Sequence, residues 1–275
     1  MPLKNRLEMS TTLDQIMAHT LLQVHAKKET ANFARLERHA AEHKPRGFAA
    51  GLRKAAVAGP AVIAELKKAS PSRGIIRDHY QPVEIAKGYA AAGAAAISVL
   101  TDEEFFKGSL DHLEAVSKAV SIPVLRKDFI LDPFQILEAR AAGADAVLLI
   151  VAAHKDETLK MLAAEARSLQ LDVLCEVHDR EEIERAKDLG FEIVGVNSRN
   201  LKTMAVTLES HLDLLQYLPA NVIRVAESGI RTPEDVEKLI AAGYDAFLIG
   251  EALMRQPDPA ATLALLTGRD YASEI

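Results

Sequence analysis

Eight short apolar segments recur along the chain after Gly59, and stretches with helical character separate them. Each segment has about six residues and each separating stretch about 10 to 15, a rhythm that predicts repeated βα units. Strands that are apolar throughout are typical of a parallel sheet with both faces buried. The predicted strands are 61–66, 95–100, 122–127, 145–150, 172–177, 192–197, 222–227 and 245–250.

An internal repeat supports the count of eight. A helix end, a glycine and an apolar strand recur around Gly93, Gly143, Gly190 and Gly243, about fifty residues apart, which is the length of two βα units. Each glycine is predicted to end a helix. The chain is therefore expected to have an α/β fold, a (β/α)8 TIM barrel. A doubly wound open sheet is the alternative, but the sequence has neither a G-x-G-x-x-G turn nor a Walker A string.

The segment before the first strand predicts a helical extension. Residues 12–43 contain no Gly or Pro, and a capping box is expected from Thr12 to Gln15. The sequence KPRG at 44–47 ends the helical pattern. We expect one domain over 1–275, with the extension at 1–46 and the barrel at 47–275. Apolar residues at roughly helical spacing predict a buried face, and they are Leu13, Ile16, Met17, Leu21 and Val24.

Composition excludes several classes of protein. The net charge of −6, the absence of Trp and an aromatic content of 5% argue against nucleic-acid binding. One Cys and nine scattered His give no disulfide, no metal site and no cofactor ligand set, and the His are interpreted as surface or core residues. Without an apolar run long enough for a signal peptide or a membrane span, we expect a cytoplasmic protein with no membrane partner.

Charged and polar residues stand where the predicted strands end. In a barrel these ends form the active-site face. Burying several charges there costs several kcal/mol per ion unless the charges pair, and natural sequences usually accept such a cost at functional sites. We therefore favour a functional cluster over the alternative, in which the strands become polar only because they reach solvent. The residues at these ends are Glu65, Lys67, Lys127, Glu176, Asn197, Arg199, Glu227 and Ser228.

Side-chain alternation along a strand assigns faces at two of these strand ends. Glu65 and Lys67 share a face, about 6.6 Å apart along the strand, and both are predicted to point into the mouth. Cys175 has the opposite parity to Glu176. It is therefore predicted to be a buried thiol between strands and helices.

Two loops predict phosphate binding. Ser228 with Gly229 follows the seventh strand, and Gly250 with Glu251 follows the eighth, where barrels commonly bind phosphate through backbone N–H groups. Plain turns are the alternative. The connection 67–80 is long and basic, which indicates a lid or clamp over the site, or else a solvated loop.

Six blocks of sequence resemble one family. The first, IAELKKASPSRG at 63–74, is similar to the first-strand signature of indole-3-glycerol phosphate synthases, and the others follow in the family's order. They lie at 97–103 with Phe106 and Gly108, at 126–130, at 197–201, at 226–230 and at 248–250. The resemblance spans nearly the whole chain, including the helical extension.

The resemblance implies an activity. The substrate would be 1-(2-carboxyphenylamino)-1-deoxyribulose 5-phosphate, the products indole-3-glycerol phosphate, CO2 and water, in tryptophan biosynthesis, with no cofactor. Lys127 resembles the general acid at the ribulose carbonyl, and Glu176 the acid/base group of the dehydration. Lys67 matches a substrate-contacting lysine, and which lysine serves which step stays open.

The resemblance also implies roles for the rest of the cup. Glu65 and Asn197 would orient the sugar hydroxyls, with Glu227 and Ser228 completing the site. The phosphate cradle would comprise Ser228, Gly229 and Gly250, and the walls around the anthranilate ring would be Ser70, Pro71, Phe106 and Arg199. Glu251 stands where some members have Ser, and its carboxylate would repel phosphate unless it points away.

Two other functions remain possible from the residues. A phosphoribosyl-type isomerase would share the fold and the phosphate loops, and a non-catalytic barrel could bind a phosphorylated metabolite or a partner chain. The partner expected here is a small phosphorylated substrate. We expect a monomer or weak homo-oligomer.

Overall fold

A computed structural model describes residues 11–199 and 206–271. Residues 1–10 of the expected extension, and Asn200 and Leu201 of the fourth family block, lie outside the described residues.

Eight parallel strands close into a barrel, as the alternation of segments predicts. The barrel strands are β1 (Ala61–Leu66), β4 (Ala96–Leu100), β5 (Val124–Lys127), β6 (Ala146–Ile150), β7 (Asp172–Val177), β8 (Ile193–Asn197), β9 (Ile223–Glu227) and β10 (Ala246–Ile249), and the short strands β2 (Ala69–Ser70) and β3 (Gly74–Ile75) lie outside the barrel. The order around the barrel is β1, β10, β9, β8, β7, β6, β5 and β4, and β1 pairs with β10 on one side and β4 on the other. Each predicted strand is present and its ends differ by at most two residues. The largest difference is at β5, because Pro123 lacks the N–H that would extend the strand.

Among the described residues, three helices precede the first barrel strand, and the others lie between the later strands or after the last one. The helices are α1 (Thr12–Thr30), α2 (Phe33–Glu42), α3 (Phe48–Ala58), α4 (Pro82–Ala91), α5 (Leu110–Ala119), α6 (Pro133–Ala141), α7 (Asp156–Ser168), α8 (Arg180–Asp188), α9 (Glu209–Leu215), α10 (Pro233–Ala242), α11 (Glu251–Met254) and α12 (Pro259–Thr267). Within the part of the chain that the structure describes, no helix combines the length and apolar character needed to cross a membrane.

Two apolar layers follow from side-chain alternation in the strands. One set of strand residues, including Ile63, Leu125 and Leu248, fills the barrel interior, and Phe48 and Leu52 of α3 pack into the same cluster. The other set packs against the outer helices. The strands therefore bury both faces, and polar side chains are left for the strand ends.

The repeated glycines end helices, as predicted. Gly93, Gly143, Gly190 and Gly243 all have positive φ, between 71° and 118°. That left-handed conformation stops a helix and turns the chain into the next strand.

The helical extension is broken into two helices. Residues 12–43 are not one helix, because Asn32 caps a new helix by accepting a hydrogen bond from the backbone N–H of Arg35. The capping box was predicted one residue late. It joins Thr11 and Asp14, since the Asp14 carboxylate reaches the Thr11 N–H at 2.9 Å.

The buried face of α1 is narrower than the sequence predicts. Ile16, Thr20 and Val24 are buried at a spacing of four residues. Leu21, predicted to belong to this face, is 43% exposed because it lies a quarter turn away. Lys28 ties α1 to the barrel helices through a 2.9 Å ion pair with Asp132.

The long connection after β1 contains a small hairpin that the sequence did not predict. β2 (Ala69–Ser70) and β3 (Gly74–Ile75) pair antiparallel. The carbonyl of Lys68 then accepts hydrogen bonds from the N–H groups of Ile76 and Arg77. The connection is therefore an ordered structure over the mouth.

Candidate active site

A cavity of about 730 Å³ opens at the carboxyl ends of the barrel strands. All thirteen predicted site residues line it, although they are far apart in the sequence. They are Glu65, Lys67, Ser70, Pro71, Phe106, Lys127, Glu176, Asn197, Arg199, Glu227, Ser228, Gly229 and Gly250.

A lysine between two carboxyl groups lies at the base of the cavity. Nζ of Lys127, at the end of β5, is 3.1 Å from Oε2 of Glu176 and 3.9 Å from Oε2 of Glu227. All three side chains are largely buried. Oε1 of Glu227 has no hydrogen-bond partner among the described residues. The group therefore combines a charged pair with a third carboxyl in low-dielectric surroundings.

Mutual charge sets the protonation of this group. Burial is the largest single effect and opposes both charges of the pair. The combined attraction of the neighbouring carboxyl groups for Lys127, and of Lys127 and His178 for Glu176, outweighs it, so the lysine pKa is raised and the glutamate pKa lowered. Burial, reinforced by the charge of Glu176, raises the pKa of Glu227 well above its ordinary value. The Lys127 ammonium and the Glu176 carboxylate are thus favoured in their charged forms, and Glu227 is shifted towards its neutral acid form.

A second lysine follows β1, two strands away from β5 around the barrel. Nζ of Lys67 is 3.1 Å from Oε1 of Glu65 and 5.8 Å from the centre of the Phe106 ring. Glu65 is 3% exposed, so this lysine is its neutralising partner. Asp102 holds the Phe106 loop by accepting hydrogen bonds from the N–H groups of Phe105 and Phe106.

An amide joins the ends of β8 and β9. Oδ1 of Asn197 accepts hydrogen bonds from Ser228 Oγ at 2.9 Å and from the Arg199 N–H at 3.0 Å. Ser228 has a φ of 70°, which is unusual for a side-chain-bearing residue and costs about 1–3 kcal/mol. Its carbonyl is held by Nε2 of His211 at 3.0 Å and Oγ of Ser198 at 3.2 Å.

Glu251 points towards arginines. Its carboxylate is 3.0 Å from Nε of Arg255, 3.4 Å from Nε of Arg73 and 4.0 Å from an Nη of Arg199. Arg73 comes from the loop after β1, so the pair links that loop to α11. The negative charge is therefore balanced by cations.

The first turns of α1 contribute lining residues that were not assigned to the site. Thr12, Leu13 and Ile16 line the cavity. Leu13 and Ile16 belong to the apolar face predicted from the sequence. That pattern indicates that the face packs against the rest of the protein, but it does not indicate which part of the barrel the face contacts. The extension thus covers part of the mouth.

His178 was interpreted as an ordinary surface or core residue, and the structure corrects this. Its Nε2 lies 3.2 Å from Oε1 of Glu176. The E-x-H spacing at 176–178 puts both side chains on one face of β7 as it ends, which could have indicated the contact. Cys175, in contrast, is fully buried between strand and helices, as predicted.

No group of three or more His, Cys, Asp or Glu among residues 11–199 and 206–271 could hold a metal ion. The chemistry available in the cavity is proton transfer and electrostatic stabilisation by Lys, Glu and backbone N–H groups.

Comparison with known sequences identifies close relatives. The family model for indole-3-glycerol phosphate synthase matches residues 13–266. A protein of that name from Koribacter versatilis is 56% identical over 260 residues, covering 94% of this chain and all of the relative. Another from Burkholderia vietnamiensis is 50% identical over 257 residues, covering 93% of this chain and 98% of the relative.

Solved structures show the same fold at low identity. The 3-hexulose-6-phosphate synthase from Salmonella typhimurium has a TM-score of 0.60 and 15% identity, covering 75% of this chain and 97% of its own. The thiamine phosphate pyrophosphorylase from Pyrococcus furiosus has a TM-score of 0.56 and 18% identity, covering 75% and 93%. These likenesses concern the fold, whereas the sequence matches give the family. The chain belongs to the indole-3-glycerol phosphate synthase family.

Proposed function

We propose that this cavity closes the indole ring of 1-(2-carboxyphenylamino)-1-deoxyribulose 5-phosphate, giving indole-3-glycerol phosphate, CO2 and water, with Lys127 and Glu176 moving the protons. The activity is that of the family, a decarboxylating lyase of tryptophan biosynthesis. The observation that carries the residue assignment is the buried 3.1 Å pair of Lys127 and Glu176 at the base of the cavity.

The first step forms the carbon–carbon bond. The ring carbon that bears the carboxylate attacks the ribulose C2 carbonyl, and Lys127 gives a proton to the oxygen as it becomes an alkoxide. Because the lysine pKa is raised, the ammonium is present throughout the neutral range. An alkoxide is far more basic than an amine, so the transfer proceeds despite that raised pKa.

The second and third steps restore aromaticity. Loss of CO2 returns the bonding electrons to the ring. Glu176 then takes a proton from the carbon that was ribulose C1 and gives it to the hydroxyl at the former carbonyl carbon, which leaves as water, and Lys127 regains its proton from solvent. Glu176 is ionised in the free enzyme and serves as the proton acceptor. Glu227, held neutral by burial, donates a hydrogen bond to a sugar hydroxyl.

The remaining residues bind the two ends of the substrate. Gly229 and Gly250 cradle the phosphate with Ser228 through backbone N–H groups, since Gly allows close approach of an anion. Glu65 and Asn197 orient the sugar. Ser70, Pro71, Phe106 and Arg199 surround the anthranilate ring, and the Arg199 charge faces its carboxylate.

The two lysines have different surroundings, which favours different tasks. Lys127 contacts two carboxyl groups in the base of the cavity, while Lys67 pairs with Glu65 under the Phe106 ring. We assign the carbonyl proton to Lys127 and contact with substrate anions to Lys67.

We further propose that the chain forms a single domain, with the extension at 1–46 and the barrel at 47–275, and works in the cytoplasm as a monomer or weak homo-oligomer. It needs no cofactor and no nucleic-acid partner. Its partner is the phosphorylated substrate.

Fluorescence during turnover tests this proposal. Purified protein mixed with the carboxyphenylamino-deoxyribulose phosphate, without added metal or nucleotide, is expected to develop indole-type emission. Emission absent from a folded protein that still binds the reduced substrate analogue would contradict catalysis and support the non-catalytic barrel. Failure to bind the analogue would support the isomerase alternative.

A further inference from the structure

We propose that His178 is a positioning residue for Glu176: held between Glu182 and Glu176, it fixes the orientation of the Glu176 carboxylate and keeps it ionised. The inference rests on the acid/base role proposed for Glu176. It concerns a side chain that does not line the substrate cavity and acts only through the glutamate.

Both nitrogens of the imidazole face carboxylates. Nδ1 is 3.1 Å from Oε2 of Glu182, and Nε2 is 3.2 Å from Oε1 of Glu176. The second contact does not have the geometry of a hydrogen bond and is an ion pair. The His178 side chain is 10% exposed and the Glu176 side chain 3%, so solvent screens their interaction only weakly.

Helix α8 fixes the ring from behind. The Glu182 carboxylate, in the first turn of α8, accepts hydrogen bonds from the backbone N–H and from Nδ1 of His178. Asp179 caps the same helix by accepting from the Glu182 N–H at 2.9 Å. His178 is therefore held by its backbone N–H and by Nδ1, and its Nε2 is directed at the Glu176 carboxylate.

The two oxygens of Glu176 have different cationic partners. Oε2 contacts Nζ of Lys127 and Oε1 contacts His178, so the carboxylate is held from both sides. The acidic group facing it is Glu227, and Glu65 acts on both Lys127 and Glu227. The positive charges of Lys127 and His178 both favour the ionised carboxylate. Their attraction outweighs the opposing effects of burial and of Glu227, so Glu176 is anionic before the substrate binds.

The imidazole is itself charged at neutral pH. Burial works against the charge, but the hydrogen bond to Glu182 and the attraction of both glutamates outweigh it and raise the pKa of His178 to about 10. A charged ring carries a proton on both nitrogens. When Lys127 gives up its proton to substrate, His178 remains as the second cation beside Glu176.

A structural role alone is the competing explanation, in which His178 only caps α8. Two amide substitutions separate the possibilities, because each replaces one ring nitrogen. His178→Asn puts an amide near the position of Nδ1 and keeps the Glu182 bond, but loses the contact with Glu176. His178→Gln reaches Glu176 without a positive charge.

The experiment is the pH profile of kcat for the complete protein with these variants. In the unmodified protein Glu176 has a pKa below its ordinary 4.5, so no acid limb from it is expected at pH 5–8. Both variants remove a cation, and the acid limb is expected to move up by a pH unit or more. His178→Asn is also expected to lose about ten- to a hundredfold in plateau kcat through misplacement, and His178→Gln less.

His43→Gln is the matched control. His43 also contacts a buried carboxylate, with Nε2 3.2 Å from Oδ1 of Asp145, but at the amino end of the barrel. It is expected to keep the original pH profile. A His178→Asn protein with unchanged plateau and acid limb would overturn the proposal.

Glu176→Gln separates the two levels of the assignment. If this variant is inactive while His178→Asn behaves like the unmodified protein, the positioning role fails and the role of Glu176 stands. If Glu176→Gln keeps its activity, the acid/base assignment fails, and the positioning role fails with it.

Discussion

Gly250 leaves the space that the Glu65 side chain occupies. A Cβ at position 250 would overlap Oε1 of Glu65 and crowd its other side-chain atoms. The φ of Gly250 is −125°, so the glycine serves here for space and not for a left-handed turn. Two neighbouring strands, β1 and β10, therefore fit together at the mouth only if one of them has no side chain at that point.

Gly250→Ala is expected to lower kcat/KM by about 10²-fold while the barrel stays folded. The methyl group displaces Glu65 and breaks its ion pair with Lys67, a misplacement of the order that costs enzymes this much. Steady-state kinetics measure kcat/KM, and circular dichroism tests whether the barrel is folded.

Gly268→Ala is the control, since open space surrounds this glycine. Alanine at its φ of 64° is expected to lower the free energy of unfolding by roughly 1–2 kcal/mol without affecting activity.

Lys127→Ala is expected to lower kcat by roughly 10²- to 10⁴-fold, the usual contribution of one positioned proton donor. Lys118→Ala, which removes an exposed lysine paired with Glu114 on α5, is the matched control and should retain full activity. The measurement is indole emission at saturating substrate. More than about half the original kcat in Lys127→Ala would show that another group protonates the carbonyl.

Much of the barrel could be predicted because its signals are local. An apolar run of six residues and a glycine at a helix end each report their own position, and eight repeats reinforce one another. The residues at the strand ends could be predicted from these strand bounds, because side chains alternate between the inward and outward faces along each strand. Thus Glu176 was placed in the cup and Cys175 outside it from parity alone.

The parts that could not be predicted depend on contacts between distant segments. The sequence shows a helical extension, but not that Leu13 and Ile16 reach over the mouth, because nothing local defines where α1 docks. The break at Asn32 was missed because the residues around it have good helix propensity, and a single cap decided the boundary. For His178 the E-x-H spacing at 176–178 carried a signal, but whether the two side chains meet depends on the direction of the chain as β7 ends.

Cys175→Ser is expected to leave kcat unchanged and to lower the free energy of unfolding by about 1–3 kcal/mol. The thiol is fully buried among apolar side chains, and a hydroxyl there lacks a partner. Thermal unfolding and steady-state kinetics together test this. A large loss of kcat at an unchanged melting temperature would contradict the structural role.

Burial also raises the pKa of the Cys175 thiol well above its ordinary value. Reactivity requires the thiolate, so the native protein is expected to resist alkylation. Mass spectrometry after iodoacetamide treatment should show modification only in denaturant. Rapid modification of the active native protein would contradict the packing around β7.

His211→Ala is expected to raise KM by about tenfold with a smaller effect on kcat. Burial lowers the pKa of His211, so the ring is neutral and its Nε2–H donates to the Ser228 carbonyl. Without this bond the strained backbone at Ser228 relaxes and the proposed phosphate cradle loses its shape. His112→Ala is the control, because His112 also has a lowered pKa but packs against Tyr80 and not against Ser228.

The effect on KM should be the same at pH 6.5 and pH 8.5, because a neutral imidazole does not change charge in that interval. Steady-state kinetics at the two pH values provide the check. A KM effect that appears only at the lower pH would mean that the ring is charged and that the hydrogen-bond argument is wrong.

Replacing His178 is expected to change stability in a pH-dependent manner. The pKa of His178 is about 10 in the folded protein against an ordinary 6.5, so the folded state holds its proton more tightly. This contribution to stability is fully present below about pH 6.5 and is lost as the pH rises through about 10. The difference in melting temperature between the unmodified protein and His178→Asn should therefore be large at pH 6.5 and narrow by pH 10.5.

His154→Asn is the control. Because burial lowers the pKa of His154, the difference in melting temperature between the unmodified protein and this variant should not narrow as the pH rises. A constant difference for His178→Asn would mean that the ring is uncharged between its two glutamates.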